Sequence, residues 1–262
     1  METSSRQPAQ FRYNRNVFKA ASFIYRLLRI TLRSPRDLRH VLGIANAAAI
    51  QIEDPLSDIR VIPSANIAGL FDCSLRSTFQ SFPGVGASIT PMESMAIVAL
   101  CRFVGAKRIF EFGTYKGVST TQFALNLPDD GQIFTLDLPE DSPMYTLDIS
   151  VPDERRIAAE AGKGSMIPAE CLKLITFLRC DSATFDPEPF RNSIDLAFID
   201  GAHSYEYVVN DTSKAMTMVR SGGVIVWHDF VPSHPGVVRG VKASGLSVQR
   251  IDNTTLAFAL KP

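Results

Sequence analysis

The sequence predicts an α/β fold, a largely parallel sheet with helices on both faces. Three observations predict it. From Pro91 onward, short apolar runs alternate with segments of helical length; strands buried on both faces read as such runs. The alternation of strands with helices holds to the end of the chain, where two strands close as a hairpin around Asp252-Asn253. Nearly every run closes on an acid: Glu111, Asp137, Asp181, Asp200 and Asp229. In open α/β sheets ligands sit beyond the carboxyl ends of the strands, so this alignment of acids predicts a binding site there.

Taken in order, residues 16–32 are an amphipathic helix, with Val17, Ala20, Ala21, Ile24, Leu27 and Leu28 on one face and Arg15, Lys19, Arg26, Arg29 and Arg33 on the other. "SPRD" at 34–37 restarts the chain as a helix start, with Ser34 as cap and Pro35 in the first turn. Residues 53–88 are rich in Pro, Ser, Gly and Asp and read as a connecting region. A helix over 91–104 then leads to strands at 107–113, 131–137, 173–181, 194–200 and 222–229. Helices are expected from Gly117 and over 205–219, and a hairpin around Asp252-Asn253 closes the chain. The organisation is a helical extension and connecting region over 1–88 and a single domain over 89–262. The connection over 139–170 is long enough to be a functional lid.

The 262 residues are 45% hydrophobic and 21% charged, a globular composition with zero net charge. Nothing in that balance draws the chain to nucleic acid. The charge is uneven, however: the first 40 residues hold nine Lys or Arg against Glu2 and Asp37. Cys73, Cys101, Cys171 and Cys180 lack metal spacing, which points to buried thiols in a reducing compartment. No apolar run has the length of a membrane span, and no secretory signal pattern is seen. A cytoplasmic location is expected, with the basic helix over 16–33 as a contact for a second copy or for an anionic membrane surface.

"EFGTYKGVST" (111–120) joins the first strand to its helix. Gly113 and Gly117 allow a ligand close to the backbone. The stretch is not G-x-G-x-x-G, so a dinucleotide is disfavoured, and "GKGS" at 162–165 is not a phosphate-binding loop. Asp137, at the end of the second strand, is placed for ribose hydroxyls. An acid at Glu111 suits a ligand that carries an amine.

These motifs resemble those of class I S-adenosylmethionine-dependent methyltransferases, in particular small-molecule O-methyltransferases of the catechol and macrolide-sugar types. The resemblance covers about residues 90–262 and rests on "EFGTYKGVST", "TLDLP", "CDSA" (180–183), "IDGAHSY" and "GGVIVWHDF". It implies a Rossmann-like seven-stranded sheet and S-adenosyl-L-methionine as cofactor. Carried over by position, Glu111 holds the methionine amine, directly or through water. Gly113, Tyr115 and Gly117 line the cofactor and Ser119 meets its carboxylate. Asp137 takes the ribose, and Asp181 and Ser182 flank the adenine.

Asp200 and His203 are the candidate catalytic pair. Methyl transfer to oxygen needs an aligned acceptor and removal of its proton. The resemblance places a general base at the offset of His203, and histidine titrates near neutrality. It also implies a divalent metal (Mg or Mn) on strand-end oxygens, here Asp200, His228 and Asp229. His228 departs from the pattern, because magnesium prefers oxygen ligands. The expected activity is methylation of a small-molecule or glycosyl hydroxyl. N-methylation and a non-catalytic nucleoside-binding scaffold are the alternatives.

Overall fold

The structure, a computed structural model, describes residues 56–62, 76–82, 88–140, 145–149 and 162–262. The basic helix expected over 16–33, the helix after it and much of the connecting region lie outside those residues.

Helix α1 (Pro91–Phe103) begins on a capping box. Thr90 Oγ1 accepts the Glu93 N–H at 3.2 Å, and Glu93 Oε2 accepts the Thr90 N–H at 2.8 Å. The strands that follow are β2 (Arg108–Phe112), β3 (Gln132–Asp137), β4 (Ile175–Arg179), β5 (Ile194–Ile199), β6 (Val219–Trp227), β7 (Gln249–Ile251) and β8 (Ala257–Leu260). Helices α2 (Val118–Ala124), α3 (Tyr205–Met218) and α4 (Pro235–Lys242) lie between them. β4 is shorter than its apolar run because the first residues of that run close a 3₁₀ turn over Ala169–Leu174.

The sheet has eight strands rather than the seven expected. The additional one, β1 (Arg60–Ile62), comes from the stretch read as a connection and pairs in parallel with β7. The order is β1-β7-β8-β6-β5-β2-β3-β4, and β8 alone runs antiparallel to its neighbours. The chain builds outward from β2 to β4 and then returns to the other side of β2 with β5. That reversal opens a crevice at the carboxyl ends of β2 and β5, where ligands of such sheets bind.

Both faces of the sheet are apolar, so side chains of either parity are buried. Ile109, Leu196, Phe198, Val224 and Val226 pack with Ile97, Leu100 and Phe123 on the α1 and α2 side. Phe110, Phe112, Ala197, Ile199 and Trp227 pack with Val208, Met218, Val237 and Val241 on the α3 and α4 side. Trp227 is wholly core, and its Nε1–H donates to Thr212 Oγ1 at 2.9 Å. Cys101, Cys171 and Cys180 are free thiols. Among the described residues no helix is long and apolar enough to cross a membrane.

Candidate active site

A cavity of about 300 Å³ lies where the strand ends converge, a size typical of small-molecule sites. It is lined by Gly113, Tyr115, Gly117, Ser119, Asp137, Asp181, Ser182, Asp200, His203, His228 and Asp229. Of the residues singled out in the sequence, Glu111 alone does not line it.

The first turn explains why. Glu111 alternates with Phe110 and Phe112 along β2 and is fully buried. Ser119 Oγ donates to its Oε1 at 2.6 Å, while Thr120 Oγ1 and Thr135 Oγ1 donate to Oε2 at 2.5 and 2.6 Å. Burial raises its pKa to about 7 against the pull of these three hydroxyls. Glu111 therefore reaches the cavity only through Ser119, which both donates to it and lines the wall. Gly113 admits no side chain, since a Cβ there would lie 2.1 Å from the Asp200 carbonyl oxygen. Tyr115 takes a left-handed φ of 44°, a strained value for a bulky residue and one characteristic of functional turns.

Asp137 anchors this turn. Its Oδ2 accepts the N–H groups of Thr114 (3.0 Å) and Tyr115 (2.8 Å). Its Oδ1 accepts the Leu138 N–H at 2.7 Å and Lys163 Nζ at 2.5 Å. Lys163 comes from the long connection between β3 and β4, as does Tyr145, which also lines the cavity. Residues 141–144 and 150–161 of that connection lie outside the described residues.

Asp181 sits at the end of the β4 turn. It accepts the Tyr207 hydroxyl at 2.9 and 3.0 Å, the Ala183 N–H at 2.9 Å and the Thr146 N–H at 2.7 Å. It thus ties α3 and the described part of the connection to one wall. Ser182 contributes its carbonyl to Asn210 and Lys214. Asp211, on α3, is buried against the cavity, and burial pushes its carboxyl up to about 7. Its Oδ1 accepts from Asn210 Nδ2 at 2.7 Å, and among the described residues its Oδ2 has no aligned hydrogen bond.

The remaining wall is a cluster of carboxylates and imidazoles. His228 extends the β6 ladder by donating its N–H to Ile199 O at 3.0 Å, and Asp229 follows with a left-handed φ of 54°. His228 Nδ1 lies 3.1 Å from Asp200 Oδ1 and 3.2 Å from Asp229 Oδ2, and its Nε2 lies 3.4 Å from Glu93 Oε2. His203 Nε2 lies 3.0 Å from Asp229 Oδ2, close but not aligned as a hydrogen bond. Burial by itself would lower the His228 pKa, but Asp200, Asp229 and Glu93 outweigh it and raise it well above the usual imidazole range. Burial would raise Asp229, yet His203 and His228 overcome it and hold the carboxyl below the usual range.

The Asp200, His228 and Asp229 ligand atoms all lie within 4.8 Å of one another, as do those of His203, Asp229 and His234. His234 stands at the start of α4, its ring 5.1 Å from that of His203. The position of His203 is set from outside the cluster. Gly236, in the first turn of α4, packs so tightly that a Cβ there would lie 2.3 Å from the His203 carbonyl oxygen.

Three residues escaped the reading of the sequence. Glu93 was visible as half of a T-x-x-E capping box, but its partner at His228 is a tertiary contact. Lys163 stood inside "GKGS", where the spacing excluded a phosphate loop and suggested nothing else. Asp211 lies mid-helix, where a carboxylate ordinarily faces solvent.

Residues 110–230 match the protein family described as "Methyltransferase domain". The chain is 27% identical over 153 residues to a caffeoyl-CoA O-methyltransferase of Stellaria longipes, covering 58% of each chain. It is 21% identical to the O-methyltransferase TomG of Streptomyces achromogenes, solved in complex with SAM, covering 84% of this chain and 95% of that one with a TM-score of 0.45. An O-methyltransferase of Bacillus cereus, solved in complex with SAH, is 17% identical, with coverages of 68% and 84% and a TM-score of 0.48. The chain spans a little over half the length of the curated relatives it matches.

Proposed function

We propose that this chain, residues 110–230 of which match a methyltransferase domain family, methylates a hydroxyl group of a small molecule or glycoside, with S-adenosylmethionine as the donor. The observation that supports this reading is one cavity lined by two unlike sets of groups. One is the tight turn of Gly113, Tyr115 and Ser119 with Asp137 and Asp181; the other is Asp200, His203 and Asp229, which begins directly beside Gly113. When bound, S-adenosylmethionine supplies an electrophilic methyl group on a sulfonium. The carboxylates that surround the cavity suit a ligand with a sulfonium and an ammonium, and Ser182 lies beside Asp181 for the adenine edge.

His203 serves as the general base. The contact with Asp229 orients its ring and stabilises the imidazolium that forms when the acceptor hydroxyl gives up its proton. Poor alignment before substrate binds is ordinary for such pairs, which tighten in the reactive complex. Asp200 holds the acceptor in the cavity.

A divalent cation fits the donor chemistry of Asp200, His228 and Asp229. The three ligand atoms converge, and Glu93 stands behind His228 as the outer carboxylate that orients a ligating imidazole. A mixed oxygen and nitrogen set shifts preference from magnesium toward manganese, iron, cobalt or zinc. Such a cation would acidify the acceptor hydroxyl.

The test is calorimetric titration with S-adenosylhomocysteine, with NAD as control, followed by methyl transfer from labelled S-adenosylmethionine to a panel of phenols, sugars and polyketides. Saturable binding of the homocysteine compound alone, with transfer to a hydroxyl, is the expected result. Absence of binding would sink the proposal.

A further inference from the structure

Two sets of ligand atoms meet at Asp229. One is Asp200, His228 and Asp229; the other is His203, Asp229 and His234, and within each set the atoms lie within 4.8 Å of one another. His234 has no part in the reaction proposed above. The set it completes differs from its neighbour in two respects. It offers two imidazoles and one carboxylate in place of one imidazole and two carboxylates, and all three of its residues are partly exposed, whereas His228 is buried.

Backbone contacts fix the three residues in place. The Val231 N–H donates to Asp229 O at 2.8 Å and the His234 N–H to Val231 O at 2.9 Å, so Asp229 and His234 belong to one hydrogen-bonded turn. The His234 carbonyl accepts the Val238 N–H at 3.1 Å, which joins that turn to α4. Gly236 of α4 abuts the His203 carbonyl with no room for a Cβ. At the side chains, His203 Nε2 lies 3.0 Å from Asp229 Oδ2, and the His203 and His234 rings are 5.1 Å apart. Ser233 Oγ lies 3.3 Å from His234 Nδ1. An oxygen at one ring nitrogen orients the imidazole and leaves the other nitrogen to ligate.

Ligand type and spacing decide which ion such a set takes. Two histidines and a carboxylate are a zinc set with a fourth position left for water, whereas magnesium and calcium prefer oxygen throughout. Zinc bonds of about 2.0–2.2 Å place tetrahedral ligand atoms roughly 3.4 Å apart. The separations here, 3.0 Å for one pair and at most 4.8 Å for the others, bracket that value. Rotation of side chains suffices to close the set.

We propose that His203, Asp229 and His234 form an inhibitory zinc site. The nitrogen that faces Asp229 is Nε2. Zinc bonded there occupies the lone pair that would accept the acceptor's proton, so metal binding and base catalysis exclude each other. The inhibitory consequence rests on the reading of His203 as the base; the site itself does not.

The experiment is zinc titration of the full chain, of His234→Gln and of Asp200→Asn, followed by calorimetry and by the NMR signals of the four histidine rings. Zinc should bind the wild-type chain one to one and shift the signals of His203 and His234. His234→Gln should weaken binding by more than the roughly 10- to 100-fold that an outer partner alone contributes, and Asp200→Asn should leave it unchanged. If a variant fails to fold, the wild-type ring signals carry the test by themselves. A wild-type chain without saturable zinc binding overturns the proposal. So does zinc that shifts His228 instead and is lost with Asp200→Asn. Methyl transfer from labelled S-adenosylmethionine, measured in the same titration, separates the site from the base. Transfer should fall in step with zinc occupancy, and His234→Gln should need at least about 10-fold more zinc for the same loss. Transfer that continues with the site full overturns the inhibition and removes His203 as the base, while the zinc site stands.

Discussion

Glu93 Oε2 lies 3.4 Å from His228 Nε2, joining the first turn of α1 to the end of β6 behind the carboxylate cluster. The same carboxylate closes the α1 capping box and accepts the N–H and hydroxyl of Thr255 at 2.7 and 2.8 Å. Burial would raise the Glu93 pKa, but His228, Thr90 and Thr255 overcome it and hold it at about 2. A depressed acid contributes stability that is complete above its unfolded pKa near 4.5 and is lost as pH falls toward 2. The contribution is on the order of 3 kcal/mol. Denaturant melts of Glu93→Gln should show reduced stability at pH 7 and a shallower loss between pH 4.5 and 2 than the wild type.

The same substitution bears on metal. An outer carboxylate lost from behind a ligating histidine weakens metal affinity by about 10- to 100-fold. Manganese titration of wild type and Glu93→Gln should show that drop. Activity that survives complete chelation without added metal would dismiss the cation.

His203→Ala should lower turnover by about 10²- to 10⁴-fold, the usual contribution of a positioned base. The affinity for S-adenosylhomocysteine should not change, because Asp137, Asp181 and Ser182 are untouched. A variant that keeps wild-type turnover would remove His203 as the base and favour a site that binds without reacting.

Gly236→Ala probes the base without altering its chemistry. The added methyl would press on the His203 carbonyl, 2.3 Å away. A displacement of about 1 Å at the reacting groups costs as much as 100-fold in rate. Turnover should fall by about 10- to 100-fold with cofactor affinity preserved, and equal loss of both would point to a general failure of folding.

Glu111 predicts the opposite pH dependence to Glu93. Its folded pKa is raised from 4.5 to about 7, so the folded chain holds a proton that the unfolded chain has released. Stability should therefore decline as pH rises from 4.5 to 7, and Asp211, raised to about 7 as well, adds to the decline. Glu111→Gln should flatten part of that slope in melts taken across the interval. An unchanged slope would assign it elsewhere.

The sequence by itself determined the sheet, its polarity and the level at which the cavity lies. Apolar runs such as "IDLAFID" state that both faces are covered, and a parallel sheet places its ligands at the carboxyl ends, so Asp137, Asp200 and Asp229 were legible from local pattern. The eighth strand was not, because Arg60–Ile62 has no periodicity of its own and takes its conformation from β7. Nor was the division of labour among the acids. Whether a carboxylate faces a cavity or a wall of hydroxyls depends on strand parity and on the neighbours that packing supplies. Glu111 turns to Ser119, Thr120 and Thr135; Asp137 accepts from Lys163 and three backbone donors; Glu93 crosses to His228. Spacing along the chain carries residue type and secondary structure. Partners distant in sequence are chosen only when the chain has folded, because electrostatic and hydrogen-bond energies depend on distances that exist in the tertiary structure alone.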